Sequence, residues 1–315
     1  MNPGRFRPVR RAAMGVITAA LVLPLLTGCG SDPATGEEAG PAAPSTDVTA
    51  ALRKNPELTK LLPQEVRERG TLTLGASVGA PPSSYFPSTS SKVPAGQDVD
   101  IADAVSTLLG VRLTRQQASF DAILPALDSG KYDVGTGNFG VTDERRRTID
   151  FVTYINDGQG FAVREDDTSL DEVTRLDQLC GRSIGVGAGT TFEATLEAEK
   201  KVCAARGRKP YQVHVYSDNG SLLTSLQQNR VEVVMSTING LRHQAAQPAA
   251  GTRFLNEYHR LDVGFAFKKG SPLLKAFQAA VNELIEDGTY RRILDKWGTG
   301  ESAIEESRIS PPEQK

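Results

Sequence analysis

The sequence has little of what builds metal centres, thiol chemistry or broad aromatic surfaces. Its 315 residues include three cysteines, three histidines, three methionines and one tryptophan. His214, His243 and His259 are scattered, and none has a zinc-like spacing to a cysteine, so no metal is implied. Basic and acidic residues nearly balance, 36 against 38, which removes the polycation signature of nucleic-acid binding. Phosphate loops are missing as well. Gly187-Ala188-Gly189-Thr190-Thr191 lacks the Gly-Lys-Ser/Thr ending, and Phe192 stands where a dinucleotide fingerprint needs its third glycine. Asp143/Glu144 and Asp166/Asp167 are adjacent in sequence and so diverge on a surface rather than converge on a substrate. No nucleophile elbow, no enzyme signature and no cofactor are expected, and no short-period repeat stands out.

What is present begins at the N-terminus. Arg5, Arg7, Arg10 and Arg11 precede an apolar run from Ala12 to Leu26, too short to span a bilayer comfortably and flanked like a secretory signal. Leu26-Thr27-Gly28-Cys29 resembles a bacterial lipobox, in which the cysteine is lipidated and becomes the mature N-terminus. Residues 1–28 are therefore expected to be a lipoprotein signal peptide and Cys29 the lipid anchor. Residues 29–62 are expected to be a flexible linker, rich in Gly, Ser, Pro, Ala, Asp and Glu in its first half. No later apolar run is long enough to cross a membrane. Outside the cytoplasm the remaining pair, Cys180 and Cys203, is most simply a disulfide.

The rest alternates strand and helix. Thr71–Leu74 reads as a strand, Asp98–Leu109 as a helix with Ile101, Ala104, Val105 and Leu108 on one face, and Val111–Leu113 as a strand. A helix over about Asp121–Ser129 and a strand from Tyr132 follow. The grammar then repeats: strand Ser183–Val186, helix from Phe192 to about Ala205, strand Tyr211–Tyr216, helix Ser221–Gln228 and strand Val231–Met235. A strand Val263–Phe267 and helices Leu273–Glu286 and Thr289–Trp297 close the chain. Such alternation argues for α/β layers with mostly parallel strands.

The stretch Gly137-Asn138-Phe139-Gly140-Val141-Thr142-Asp143-Glu144-Arg145-Arg146-Arg147 sets a problem. Thr142 reads as an N-cap with Asp143 and Glu144 in the first turn, where the helix dipole favours carboxylates. Arg145 then falls where a cation opposes that dipole. Either the arginines are a solvated charge run, or an outside anion binds there.

Gly96-Gln97-Asp98-Val99-Asp100-Ile101-Ala102, Phe120-Asp121-Ala122-Ile123 through Lys131-Tyr132-Asp133, Thr142-Asp143-Glu144-Arg145 and Asp150-Phe151 resemble the family 3 extracellular solute-binding proteins. Gly288-Thr289-Tyr290 and Lys296-Trp297-Gly298 extend the likeness, which covers about Arg69 to Trp297. The resemblance implies two α/β lobes in a type II periplasmic-binding-protein-like fold, joined by two hinge strands. Lobe 1 is expected over 63–160 and 262–299, lobe 2 over 161–261, and a C-terminal tail over 300–315. The implied function is an extracytoplasmic lipoprotein, monomeric, that delivers a small carboxylate-bearing polar solute to an ABC permease. The alternatives are a dehydratase-type enzyme on the same fold and a sensor without transport.

By the same resemblance, Arg145 occupies the position that clamps the ligand's α-carboxylate. Asn138 and Gly140 match strand-end positions that face the ligand, Phe120 an aromatic that covers it, and Thr191, after Thr190, a lobe 2 contact to the carboxylate. Two departures follow. The acid that pairs with the α-ammonium is replaced by Thr237, and Ala80 stands before Pro81-Pro82 where an aromatic is usual, with Tyr85 and Phe86 close by. Asp157 is the expected substitute acid.

Overall fold

The computed structural model describes residues 44–314; the signal peptide and Cys29 lie outside the described residues. Order begins before the first expected strand. Asn55 caps α1 (Pro56–Lys60), its side-chain oxygen accepting the Glu57 N–H at 2.9 Å, and α2 (Gln64–Arg69) follows. Leu58, Leu62 and Val66 are buried in the lobe 1 core. The linker expected over 29–62 is thus corrected at its end, because an amphipathic turn finds an apolar surface to cover.

Lobe 1 is built from β1 (Thr71–Ala76), α3 (Gln97–Leu109), β2 (Arg112–Gln117), α4 (Phe120–Asp128) and β3 (Val134–Gly140). Its strands are parallel, with β1 between β2 and β3. Lobe 2 repeats the plan with β5 (Ser183–Gly187), α5 (Thr191–Ala198), β6 (Gln212–Tyr216), α6 (Asn219–Gln227), β7 (Val233–Thr237) and α7 (Ile238–Ala245), and β5 lies between β6 and β7. Separate apolar clusters fill the two lobes, one around Leu72, Ile101, Phe265 and Phe277, the other around Val163, Ile184, Leu196 and Met235.

Two long strands connect them. β4 (Ile149–Arg164) and β8 (Thr252–Lys268) pair antiparallel from Ile149↔Lys268 to Arg164↔Thr252, with register shifts between Thr153 and Ile155 and again near Gly160. β3 flanks β8 at one end and β7 flanks β4 at the other, giving the order β2-β1-β3-β8-β4-β7-β5-β6. β4 is buried almost throughout, as a strand covered on both faces must be. The short strand expected over Val263–Phe267 is the end of the much longer β8.

The Cys180–Cys203 disulfide is formed and ties the ends of the β5–α5 unit. After α8 (Leu274–Glu286) and α9 (Thr289–Lys296), the expected tail is also corrected. Ile309 bridges Val152, Ser307 Oγ donates to the Thr153 carbonyl at 2.6 Å, and Arg308 pairs with Asp262 at 2.6 Å. These contacts bind the last segment to the hinge strands.

Candidate ligand-binding cleft

A cavity of about 970 Å³ opens between the lobes. Lobe 1 lines it with the loop after β1 (77–84), the end of β3 and Phe120; lobe 2 contributes the β5–α5 turn, residues 216–220, Thr237 and one side of α7. Strand ends and helix starts converge there, where an α/β sheet leaves a crevice.

Arg145 lines this cavity, but not from an α-helix. Residues Arg145–Arg147 form one 3₁₀ turn, with the Thr142 hydroxyl accepting the Arg145 N–H at 3.2 Å. The expected helix terminus is therefore corrected, and no macrodipole of consequence opposes the arginine. Nη1 donates to the Gly140 carbonyl at 3.0 Å and Nη2 to the Gly189 carbonyl of lobe 2 at 2.9 Å. Two of five guanidinium N–H groups are used in this way. Among the described residues no carboxylate stands at ion-pair distance from it. Burial lowers its pKa to about 10, so it remains a cation at neutral pH. Its Cζ lies 5.7 Å from the Phe120 ring centroid, while Phe120 also packs on Phe139 at 4.7 Å. Phe120 thus caps the core and presents an edge of the cleft. Arg146 pairs with Asp143, and Arg147 is exposed.

The hinge explains what became of Asp157. It has no exposed surface, and its two oxygens accept from Asn138 Nδ2 at 3.0 Å and from the Asn239 N–H at 3.1 Å. One donor belongs to lobe 1 and the other to lobe 2, so Asp157 fastens the lobes across β4. It does not line the cavity, which corrects its expected part as the ammonium partner. Burial raises its pKa. Asn138 lies at φ 58, a left-handed conformation that asparagine tolerates, and its amide also donates to Ser83 Oγ at 3.2 Å.

The sequence comparisons agree with this geometry. The model of "Bacterial extracellular solute-binding proteins, family 3" matches residues 72–300. The chain belongs to that family. This solute-binding protein is 28% identical over 259 residues to the arginine-binding protein ArgT of Corynebacterium glutamicum, covering 81% of this chain and 83% of that one. Among solved structures it resembles an ancestral arginine-binding protein bound to arginine, at 31% identity and TM-score 0.65, covering 73% and 98% of the two chains. It also resembles the ancestral amino acid-binding protein AncCDT-1, a precursor of cyclohexadienyl dehydratase, at 25% identity and TM-score 0.65, covering 76% and 99%.

The remaining expected residues of this solute-binding protein divide cleanly. Thr190, Thr191 and Thr237 line the cavity. Two of their hydroxyls are already engaged: Thr190 accepts from the Glu193 N–H to cap α5, and Thr237 accepts from the Gly240 N–H to cap α7. Gly140 lines the cavity too; a Cβ there would crowd Leu261 Cδ1 at 3.1 Å and make ordinary contact with Thr191 Cγ2 at 3.5 Å. Tyr85 is corrected: it packs edge-on against Trp297, 6.1 Å between centroids, away from the cleft, and Phe86 does not line it either.

Several lining residues escape sequence reasoning. Asp98 sits on the cavity wall, His243 and Gln244 reach it from α7, a helix hidden by Gly240 and a weak apolar stripe, and Gln247 from just beyond that helix. The expectation of no nucleophile elbow also needs correction, because Gly75-Ala76-Ser77-Val78-Gly79 has that spacing. The elbow's context is absent. β1 ends at Ala76 and passes into a long loop rather than a helix, and among the described residues no histidine or acid bonds Ser77.

Proposed function

We propose that this family 3 protein binds a polar amino acid, or a close derivative, between its lobes and delivers it to the permease of an ABC importer. The observation that carries this reading is Arg145, a cation in an interlobe cavity that forms no ion pair among the described residues and has three N–H groups to spare. A ligand carboxylate completes it through a charged, two-pronged hydrogen bond, flanked by Phe120 and by the first turn of α5 at Thr190 and Thr191. The names of the arginine-binding relatives support an amino acid as the ligand class.

The N-terminal segment supports export and tethering by a lipid on Cys29. A dehydratase is the rival, since one structural relative is a precursor of such an enzyme. A thermal-shift screen of amino acids, betaines and opines, with a turnover assay on prephenate, separates them. Stabilisation by an amino acid without turnover supports the binding reading; turnover of prephenate overturns it. Release of a Cys29→Ala variant into the medium tests the tether, and retention on the membrane contradicts it.

A further inference from the structure

We propose that Asp98, at the start of α3, receives the ligand's ammonium group, the part that neither Thr237 nor Asp157 fills. This rests on the binding reading above and adds the residue that selects for a protonated amine.

Asp98 is placed by a close backbone contact. Gly96 lies at φ +143, and a Cβ on it would stand 2.1 Å from the Ser83 carbonyl oxygen. The Asp98 N–H donates to that same oxygen at 3.0 Å. The contact presses the first turn of α3 against the 77–84 loop and leaves the Asp98 side chain 2% exposed on the cavity wall. The two acids of Gly96-Gln97-Asp98-Val99-Asp100 then differ. Asp100 accepts from Lys296 Nζ and Trp297 Nε1, both at 2.8 Å. Neither oxygen of Asp98 makes a well-formed hydrogen bond, and neither do the polar atoms of Gln97 or the Tyr154 hydroxyl; Tyr154, Gln97 and the Asn138 N–H only lie close enough to soften the effect of burial on the Asp98 carboxyl. Buried polar groups are paired in folded proteins unless something else completes them. An ammonium, with three donors and a positive charge, supplies what this wall lacks.

The surroundings suit a cation. The titratable groups facing Asp98 are Asp157 and Tyr154, both on β4, while β3 offers Asn138 and the loop offers Ser83 and Ser84. Burial, with Asp157 adding like charge, raises the Asp98 pKa to about 7. Near neutral pH the free protein therefore holds Asp98 partly protonated, and an arriving ammonium draws it to the ionised form. Binding releases a proton.

The test is calorimetry on the full mature chain. The twenty L-amino acids serve as probes, and the tightest binder is compared with its des-amino carboxylate on wild type and Asp98→Asn. The expected result is a loss of 30-fold or more for the amino acid in the variant, with the des-amino analogue unchanged within about threefold. Equal losses for both compounds, or no loss for either, overturn the assignment. Wild-type titrations at pH 7 in buffers of different ionisation enthalpy give a second reading that needs no variant: proton release is expected, and none contradicts the assignment. If none of the probes binds, the reading of the cleft fails and this inference fails with it.

Discussion

Replacing Arg145 with alanine removes more than one interaction. The guanidinium holds the Gly140 and Gly189 carbonyls, so its loss weakens a contact between lobes as well as a clamp on the ligand. A charged pair broken at a desolvated site costs about 2–5 kcal/mol, much of it from the partner left unpaired. The interlobe hydrogen bond adds about 1 kcal/mol. Together they weaken binding by roughly 150-fold to more than ten-thousandfold. Arg145→Lys keeps the charge but not the fork and is expected to fall between wild type and alanine. Arg147→Ala, at an exposed neighbour, is expected to leave affinity within about twofold. Isothermal titration of the four proteins with the best-binding amino acid decides the matter. A loss for Arg147→Ala equal to that for Arg145→Ala, or a loss below about threefold for Arg145→Ala, refutes the clamp.

Asp157→Ala strands two buried donors, Asn138 Nδ2 and the Asn239 N–H, at about 1–3 kcal/mol each, so the melting temperature should fall by several degrees; an unchanged melt contradicts its role as hinge fastener. Cys180→Ser with Cys203→Ser opens a loop with a sequence separation of 23 and should cost on the order of 3 kcal/mol in denaturant unfolding, against none if the bridge adds nothing. Thr237→Asp preserves a good cap for α7 and should not improve affinity for ordinary amino acids; a gain shows that the wall at Asp98 is not already the amine site. The pH dependence of stability follows from Asp98. Its folded pKa, about 7, lies well above the ordinary carboxylate value, so the folded state binds the extra proton and stability is lost as pH rises from the ordinary value to about 7. Asp98→Asn lacks this loss and should gain on ligand-free wild type as pH rises from 5 to 8, by up to ~3 kcal/mol at about 1.4 kcal/mol per pH step; parallel melting curves contradict it.

The repeated strand–helix units were legible because their periodicities are local: α4 and β5 lie within a residue or two of their expected places, whereas α5 stops at Ala198, short of the expected end near Ala205. β4 was not. Its middle, Asn156-Asp157-Gly158-Gln159, reads as a turn, and only pairing with β8 holds it extended. The site followed the same division. Arg145 was visible as a charge in an awkward place, whereas the fates of Asp157 and Asp98 depend on packing. One is fastened by donors from residues 138 and 239; the other is pressed under a loop by Gly96. Residues 56–62 and 300–314 were misjudged for a related reason, since short polar segments carry little pattern until a surface exists for Leu58 or Ile309 to cover.

The most direct test of the account is a crystal structure of the mature protein with its best-binding amino acid. The carboxylate is predicted within hydrogen-bond distance of the Arg145 guanidinium, against the first turn of α5, with the α-ammonium directed to Asp98. A ligand bound outside the interlobe cavity, or with its carboxylate away from Arg145, contradicts it.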